Sequence, residues 1–132
     1  MRVNAYLLFD GKTEEALAFY QSVLGGNITA MLKVAGSPAE EHMPPEMKDG
    51  VLHGGLSLEN MDILASDCGS PEEVAQRGRL CVNLDDEAEA ERIFKALSED
   101  GEIAMPLGET FFARKYAQLT DRYGTPWMIV CE

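Results

Sequence analysis

Phe9–Ile28 reads FDGKTEEALAFYQSVLGGNI, and at a constant offset of 75 residues Leu84–Ile103 reads LDDEAEAERIFKALSEDGEI. Laid over each other without a gap, the two stretches set Asp10 on Asp85, Glu14 on Glu89, Phe19 on Phe94, Gly26 on Gly101 and Ile28 on Ile103. An apolar strand end, an acidic helix entry, an aromatic inside the helix, a glycine exit and a second apolar run therefore recur in one order. Solenoid repeats have much shorter periods. The pattern is that of one supersecondary module duplicated.

Working outward, Val3–Phe9 alternates as a strand. Thr13 is expected as the N-cap, with Glu14 and Glu15 set favourably against the helix dipole. Ala16, Phe19, Tyr20, Val23 and Leu24 keep helical spacing, and Gly25-Gly26 ends the helix. Ile28–Val34 is the next strand. Gly36–Gly50 is a loop rich in Pro and Glu that carries His42, Met43 and Met47, and loops of this length are typically lids or disordered. Leu52–Leu58 and Asp62–Ser66 form a hairpin. Cys68–Gly78 is a polar connector with a short helix expected at Pro71–Gln76. The second module opens with the strand Arg79–Leu84 and a helix start at Asp86 and Glu89. Ala90, Ile93, Phe94 and Leu97 make its buried stripe. Glu102–Leu107, Phe111–Thr120 and Trp127–Cys131 are the remaining strands. Each module reads β-α-β-β-β, an α+β pattern. The expected organisation is a single domain, 1–132, of module 1 (1–67) and module 2 (79–132) joined by a connector (68–78).

The 132 residues are 45% apolar and 26% charged, with a net charge of −12. That acidity argues against nucleic acid and anionic membrane surfaces, which need Lys and Arg to meet phosphate. The longest apolar runs, Ala5–Phe9 and Trp127–Cys131, are too short to span a membrane as helices, and no signal-peptide pattern stands before the first strand. Cys68, Cys81 and Cys131 form no even disulfide framework and no metal-binding spacing. A reduced, cytoplasmic protein is the expectation.

Strand parity says where function would sit. The helix of each module covers one sheet face, so alternate strand residues point away from it. Asn4 and Tyr6 take that open face in the first strand, and Arg79, Cys81 and Asn83 take it in the repeat-equivalent strand. Asn4 and Arg79 are repeat mates. The alternative for both is a strand-end residue touching water. Tyr6 and Trp127 are read on the open-face parity, with Phe111, Phe112 and Tyr116 near by, and core filling is the competing role for these aromatics.

Several stretches carry a family resemblance. They are Val3-Asn4-Ala5-Tyr6-Leu7 with Phe9-Asp10-Gly11 and Phe19-Tyr20, then Asp62–Asp67, Glu109-Thr110-Phe111-Phe112-Ala113 and Thr120–Ile129. Over nearly its whole length the chain resembles the PhnB-like branch of the vicinal-oxygen-chelate (glyoxalase/bleomycin-resistance/dioxygenase) superfamily. It departs from that branch after Phe111-Phe112, where Lys115-Tyr116-Ala117 replaces the usual glycine-flanked aromatic. The resemblance implies two tandem βαβββ modules forming a curved mixed sheet around a cavity. It also implies a homodimer.

Metal-dependent members hold one divalent ion that binds two neighbouring substrate oxygens. By the resemblance, the ligand positions map onto Asn4, Leu64, Arg79 and Ile129. None is a competent ligand, so no metal and no other cofactor is expected. The expected function is binding of a small molecule, anionic or neutral, with Asn4, Tyr6, His53, Ser66, Arg79, Asn83, Phe111, Phe112 and Trp127 as the candidate ligand-binding residues. An inward Arg79 would favour a carboxylate or phosphate. His53 reads either as a base or donor to the ligand or as a strand cap, and His42 as a solvated loop residue. Binding, sequestration and a metal-free reaction fit these residues alike. One alternative is a metal-dependent lyase, isomerase or dioxygenase with a displaced ligand set around His53. Another is a dimeric interaction module without ligand.

Overall fold

A computed structural model describes residues 2–74 and 78–132. The chain divides into two compact units, one carrying each module.

In the first unit, β1 (Ala5–Leu8) leads into α1 (Thr13–Leu24), followed by β2 (Asn27–Lys33), β3 (Val51–Ser57) and β4 (Asp62–Ser66). The sheet order is β1-β4-β3-β2, with β1 parallel to β4 and the other pairs antiparallel. A short helix, α2 (Pro71–Val74), follows; the rest of the helix expected to Gln76 lies outside the described residues. The second unit repeats the plan: β5 (Leu80–Leu84), α3 (Glu87–Ser98), β6 (Glu102–Gly108), β7 (Lys115–Thr120) and β8 (Pro126–Cys131), in the order β5-β8-β7-β6. The duplication is thus present in element order and in strand pairing. Each module closes its own four-stranded mixed sheet.

Each helix packs on one face of its sheet. Ala16, Leu17 and Tyr20 of α1 are fully buried, with Leu56, Ile63 and Ala65 beneath the helix. Ala90, Ile93 and Leu97 of α3 do the same over Ala117, Leu119 and Ile129. The repeat mates Phe19 and Phe94 are both only half-buried, at the flank of each stripe. Gly54 faces α1, where a Cβ would lie 2.8 Å from Leu17 Cδ1. Its missing side chain lets the helix lie close to the strand.

Three local expectations change. Thr13 is the first residue of α1 rather than its cap, because its hydroxyl donates to buried Asp67 instead of accepting from the helix. Phe111 and Phe112 lie in a bend between β6 and β7 rather than in a strand, since Thr110 and Ala113 close a turn around them. The 36–50 segment holds two 3₁₀ turns, Glu40–His42 and Pro45–Met47, and its base is zipped by Val34 N–H to Gly50 O and Ala35 N–H to Lys48 O. Asp86 caps α3 as expected, accepting from the N–H groups of Ala88 and Glu89. Among the described residues no helix is long and apolar enough to cross a membrane.

Candidate functional site

The open face of the first sheet is built in cross-strand rows. Tyr6 pairs with Leu64, Leu64 with Gly55 and Gly55 with Ala30. In the next row Leu8 pairs with Ser66, and His53 with Leu32. Side chains in one row share a face. Tyr6 therefore reaches diagonally across β4, and its hydroxyl meets His53 Nδ1 at 3.3 Å, with the two rings tilted at 35° and 5.9 Å apart. Tyr6 is 50% exposed and His53 half-buried. Gly55 keeps the floor low, because a Cβ there would stand 2.9 Å from Thr29 Oγ1. A neutral imidazole has one donor and one acceptor nitrogen, and the phenol can play either part. The pair can thus donate and accept hydrogen bonds above an apolar floor.

Two further candidates of this module are occupied locally. Asn4 Oδ1 accepts from Asp62 N–H at 3.0 Å, fixing the start of β4, and Arg2 pairs with the Asp62 carboxylate. Ser66 is buried, its Oγ accepting from Cys68 N–H and lying 3.4 Å from Val51 O.

The second module places its candidates differently. Arg79 is exposed, yet its Nη1 donates to Leu119 O at 3.2 Å and Trp127 O at 3.3 Å, so it ties the start of β5 to β7 and β8. Trp127 is the correction. It pairs with Leu80 and Leu119 on the helix-covered face, is 2% exposed, and donates its indole N–H to Asp121 Oδ2 at 2.8 Å. The sequence error was one of parity: β8 begins at Pro126, and Trp127, Ile129 and Cys131 take its helix-covered face. The open face is carried instead by Cys81 and Asn83 of β5, Met128 and Val130 of β8, and Tyr116 and Gln118 of β7. In the sequence Tyr116 stands only as one of several aromatics; its spacing of two from Gln118 within a strand is the signal that sets both on one face.

Asn83 Nδ2 donates to Cys81 Sγ at 3.5 Å, while burial pushes the Cys81 thiol pKa up, the Asn83 bond opposing weakly. Phe112 packs edge-on to Tyr116 at 5.0 Å and to Phe111 at 5.1 Å. Phe111 is fully exposed. With Glu109, Arg114 and Glu132, Phe111 and Phe112 line an open groove of about 380 Å³. The structure thus brings Tyr6 to His53, and Phe111 to Phe112. It leaves Asn4, Ser66 and Arg79 in backbone contacts and puts Trp127 in the core.

The divalent ion implied by the resemblance does not fit these residues. Asn4 Oδ1 holds a backbone N–H, Arg79 is a cation, Leu64 has no donor atom, and Ile129 is buried on the helix-covered face. A fixed cation at one position would repel the ion outright. Among the described residues, no three His, Cys, Asp or Glu side chains group to hold a metal.

Comparison with known proteins follows the same lines. The model of the family described as 3-demethylubiquinone-9 3-methyltransferase matches residues 1–130. The chain belongs to that family. It is PhnB-like, and its fold is of the glyoxalase type. The crystal structure of PA1353 from Pseudomonas aeruginosa is similar at 39% identity and a TM-score of 0.90, covering 100% of this chain and 98% of that one. The putative 3-demethylubiquinone-9 3-methyltransferase, PhnB protein, from Bacillus cereus is 27% identical with a TM-score of 0.84, covering 100% of both chains. Protein YjdN of Escherichia coli K12 is 29% identical over 138 residues, 98% of this chain and 94% of the relative.

Proposed function

We propose that this PhnB-like protein binds a small molecule on the open face of its first sheet without the divalent ion of its superfamily. The observation that carries the reading is the Tyr6–His53 pair, 3.3 Å apart, set above Leu64 and Gly55. Small-molecule sites are mostly apolar with a few placed polar groups. Here the apolar floor takes the body of the ligand, and the phenol and imidazole take its polar head. A carboxylate or phosphonate head is favoured, since whichever of the two side chains does not donate within the pair can donate to it.

Titrating ¹⁵N-labelled protein with small aromatic and aliphatic acids, phosphonates and neutral amphiphiles tests the reading. Saturable amide shifts centred on Tyr6, His53 and Leu64 are expected, and His53→Ala should weaken the response about tenfold, the loss of one good polar contact. A flat response across the panel, or shifts that His53→Ala leaves untouched, overturns it. Elemental analysis of protein purified without chelator or affinity metal tests the metal-free part. Near-stoichiometric Ni, Zn, Mn or Fe released by His53→Ala would restore the displaced-ligand alternative.

The homodimer belongs to the same reading. Leu32, Ile103 and Met105 are large apolar side chains at least 44% exposed on the edge strands β2 and β6, where a second copy would cover them. Light scattering should give twice the 14.5 kDa chain mass; the single-chain mass at every concentration would count against it.

A further inference from the structure

The groove of about 380 Å³ in the second module shares no residue with the Tyr6–His53 pair, and two aromatic rings stand open in it. Phe111 is fully exposed and Phe112 half exposed. Large apolar side chains standing together in water are informative, because covering them lowers the free energy. Both are held in place. Thr110 N–H donates to Ala113 O at 3.0 Å, and the Thr110 hydroxyl accepts from Ala113 N–H at 3.1 Å, closing the turn that projects the rings. Phe112 stands edge-on at 76° to buried Tyr116, whose hydroxyl accepts from Gln118 Nε2 at 2.8 Å. The stack is thus anchored at its inner end, while Phe111 keeps its ring faces open.

The charges of the groove select what covers the rings. Arg114 is the one cation among the described residues that line it, and its guanidinium is engaged by its own chain. Nε donates to Glu132 O and Nη2 to Asp85 O, both at 2.7 Å, and Nη1 pairs with the Glu87 carboxylate at 3.5 Å. An anionic ligand therefore meets a guanidinium that is already neutralised. The Glu109 and Glu132 side chains are exposed, and neither makes an ion pair or a side-chain hydrogen bond among the described residues. An aromatic ring carries the negative part of its quadrupole over its face. Two unpaired carboxylates beside open ring faces attract a cation, in a chain whose net charge is −12. A metal ion would find no third ligand, because no three His, Cys, Asp or Glu side chains group among the described residues. An alkylammonium needs none, and its carbon groups also cover the rings.

We propose that this groove binds an organic cation of the alkylammonium class, with Phe111 and Phe112 supplying the ring faces and Glu109 and Glu132 the opposing charge. Its volume of about 380 Å³ falls within the range of small-molecule pockets, roughly 300–1,000 Å³. The competing occupant is a second copy of the chain laid over the two rings.

The test titrates the ¹⁵N-labelled full chain with choline and, separately, with its uncharged isostere, in which carbon replaces the nitrogen. Choline should give saturable shifts at the amides of Glu109–Arg114 and Glu132, and the affinity should fall as salt is raised, because the charges are exposed. The isostere should bind at least threefold more weakly. Phe111→Leu keeps an apolar side chain but removes a ring face, and a fully exposed position leaves the core undisturbed. It should weaken choline binding about threefold, and Glu109→Gln/Glu132→Gln should do so by about threefold or more. The proposal is overturned by the absence of saturable choline shifts, or by equal binding of choline and the isostere, since the groove would then read apolar surface alone. Parent-like choline binding by Phe111→Leu and by the double glutamine variant overturns it as well. Shifts at the same amides on diluting the chain without choline would assign the rings to a second copy instead.

Discussion

Two side chains show how single residues act through what encloses them. The Asp67 carboxylate is 6% exposed and accepts from Thr13 N–H at 3.1 Å, the Thr13 hydroxyl at 2.6 Å and Val51 N–H at 2.8 Å. It satisfies a free amide at the start of α1 with a charge of the sign the helix dipole favours there, and it ties that helix to β3. Asp67→Ala leaves three buried donors without their acceptor, so a loss of about 3 kcal/mol and a fall in Tm of roughly 10 °C are expected. A melting point within a degree or two of the parent would show that the network contributes little. Cys81 is exposed as a residue, yet partial burial of its thiol raises its pKa. It should therefore react slowly with iodoacetamide at neutral pH and faster only above the ordinary thiol range, because the thiolate is the nucleophile. Cys131 is buried and should react only on unfolding. Mass spectrometry of a timed alkylation series separates these outcomes, and rapid neutral-pH modification of Cys81 would contradict the raised pKa.

At the scale of elements, the repeat is explained by a shared close approach. A Cβ on Gly26 would lie 2.3 Å from Ser57 O, and a Cβ on Gly101 would lie 2.3 Å from Thr120 O. The carbonyls belong to the last residues of β3 and β7. Each glycine lets the chain leaving its helix pass under the end of the corresponding strand, which is why both halves keep one at the same offset. Gly26→Ala or Gly101→Ala should cost about 2–4 kcal/mol, from backbone overlap and, at Gly26 with φ of +87°, from the left-handed conformation as well. Gly11→Ala is the control. Its φ is +75°, but nothing lies within 4 Å of the added Cβ, so about 1–2 kcal/mol is expected. Equal melting points for the Gly11 and Gly101 variants would show that the close contact is not what the repeat preserves. Helices, most strands and the order of elements were legible because apolar spacing and glycine exits are local signals. The bend at Phe111-Phe112 was not, because two aromatics read as strand unless the turn closed by Thr110 and Ala113 is seen.

For the whole molecule, the donor set predicts indifference to divalent ions. Zn²⁺, Ni²⁺ or Mn²⁺ should leave Tm unchanged, since an ion that does not bind the native state adds no stability; a concentration-dependent rise of several degrees would mean that a hard-ion site exists after all. The duplicated module, its α+β class, the family and the unsuitability of Asn4, Leu64, Arg79 and Ile129 as ligands all follow from the sequence by itself. Each depends on residue identity and local period, which the chain carries without folding. Strand register decided the rest. A shift of one residue exchanges the two faces of a sheet, so only the tertiary structure could place Trp127 in the core beside Asp121 and bring Tyr6 across β4 to His53. These contacts join residues far apart in sequence, and hydrophobic patterning fixes a face without saying which residues will meet on it.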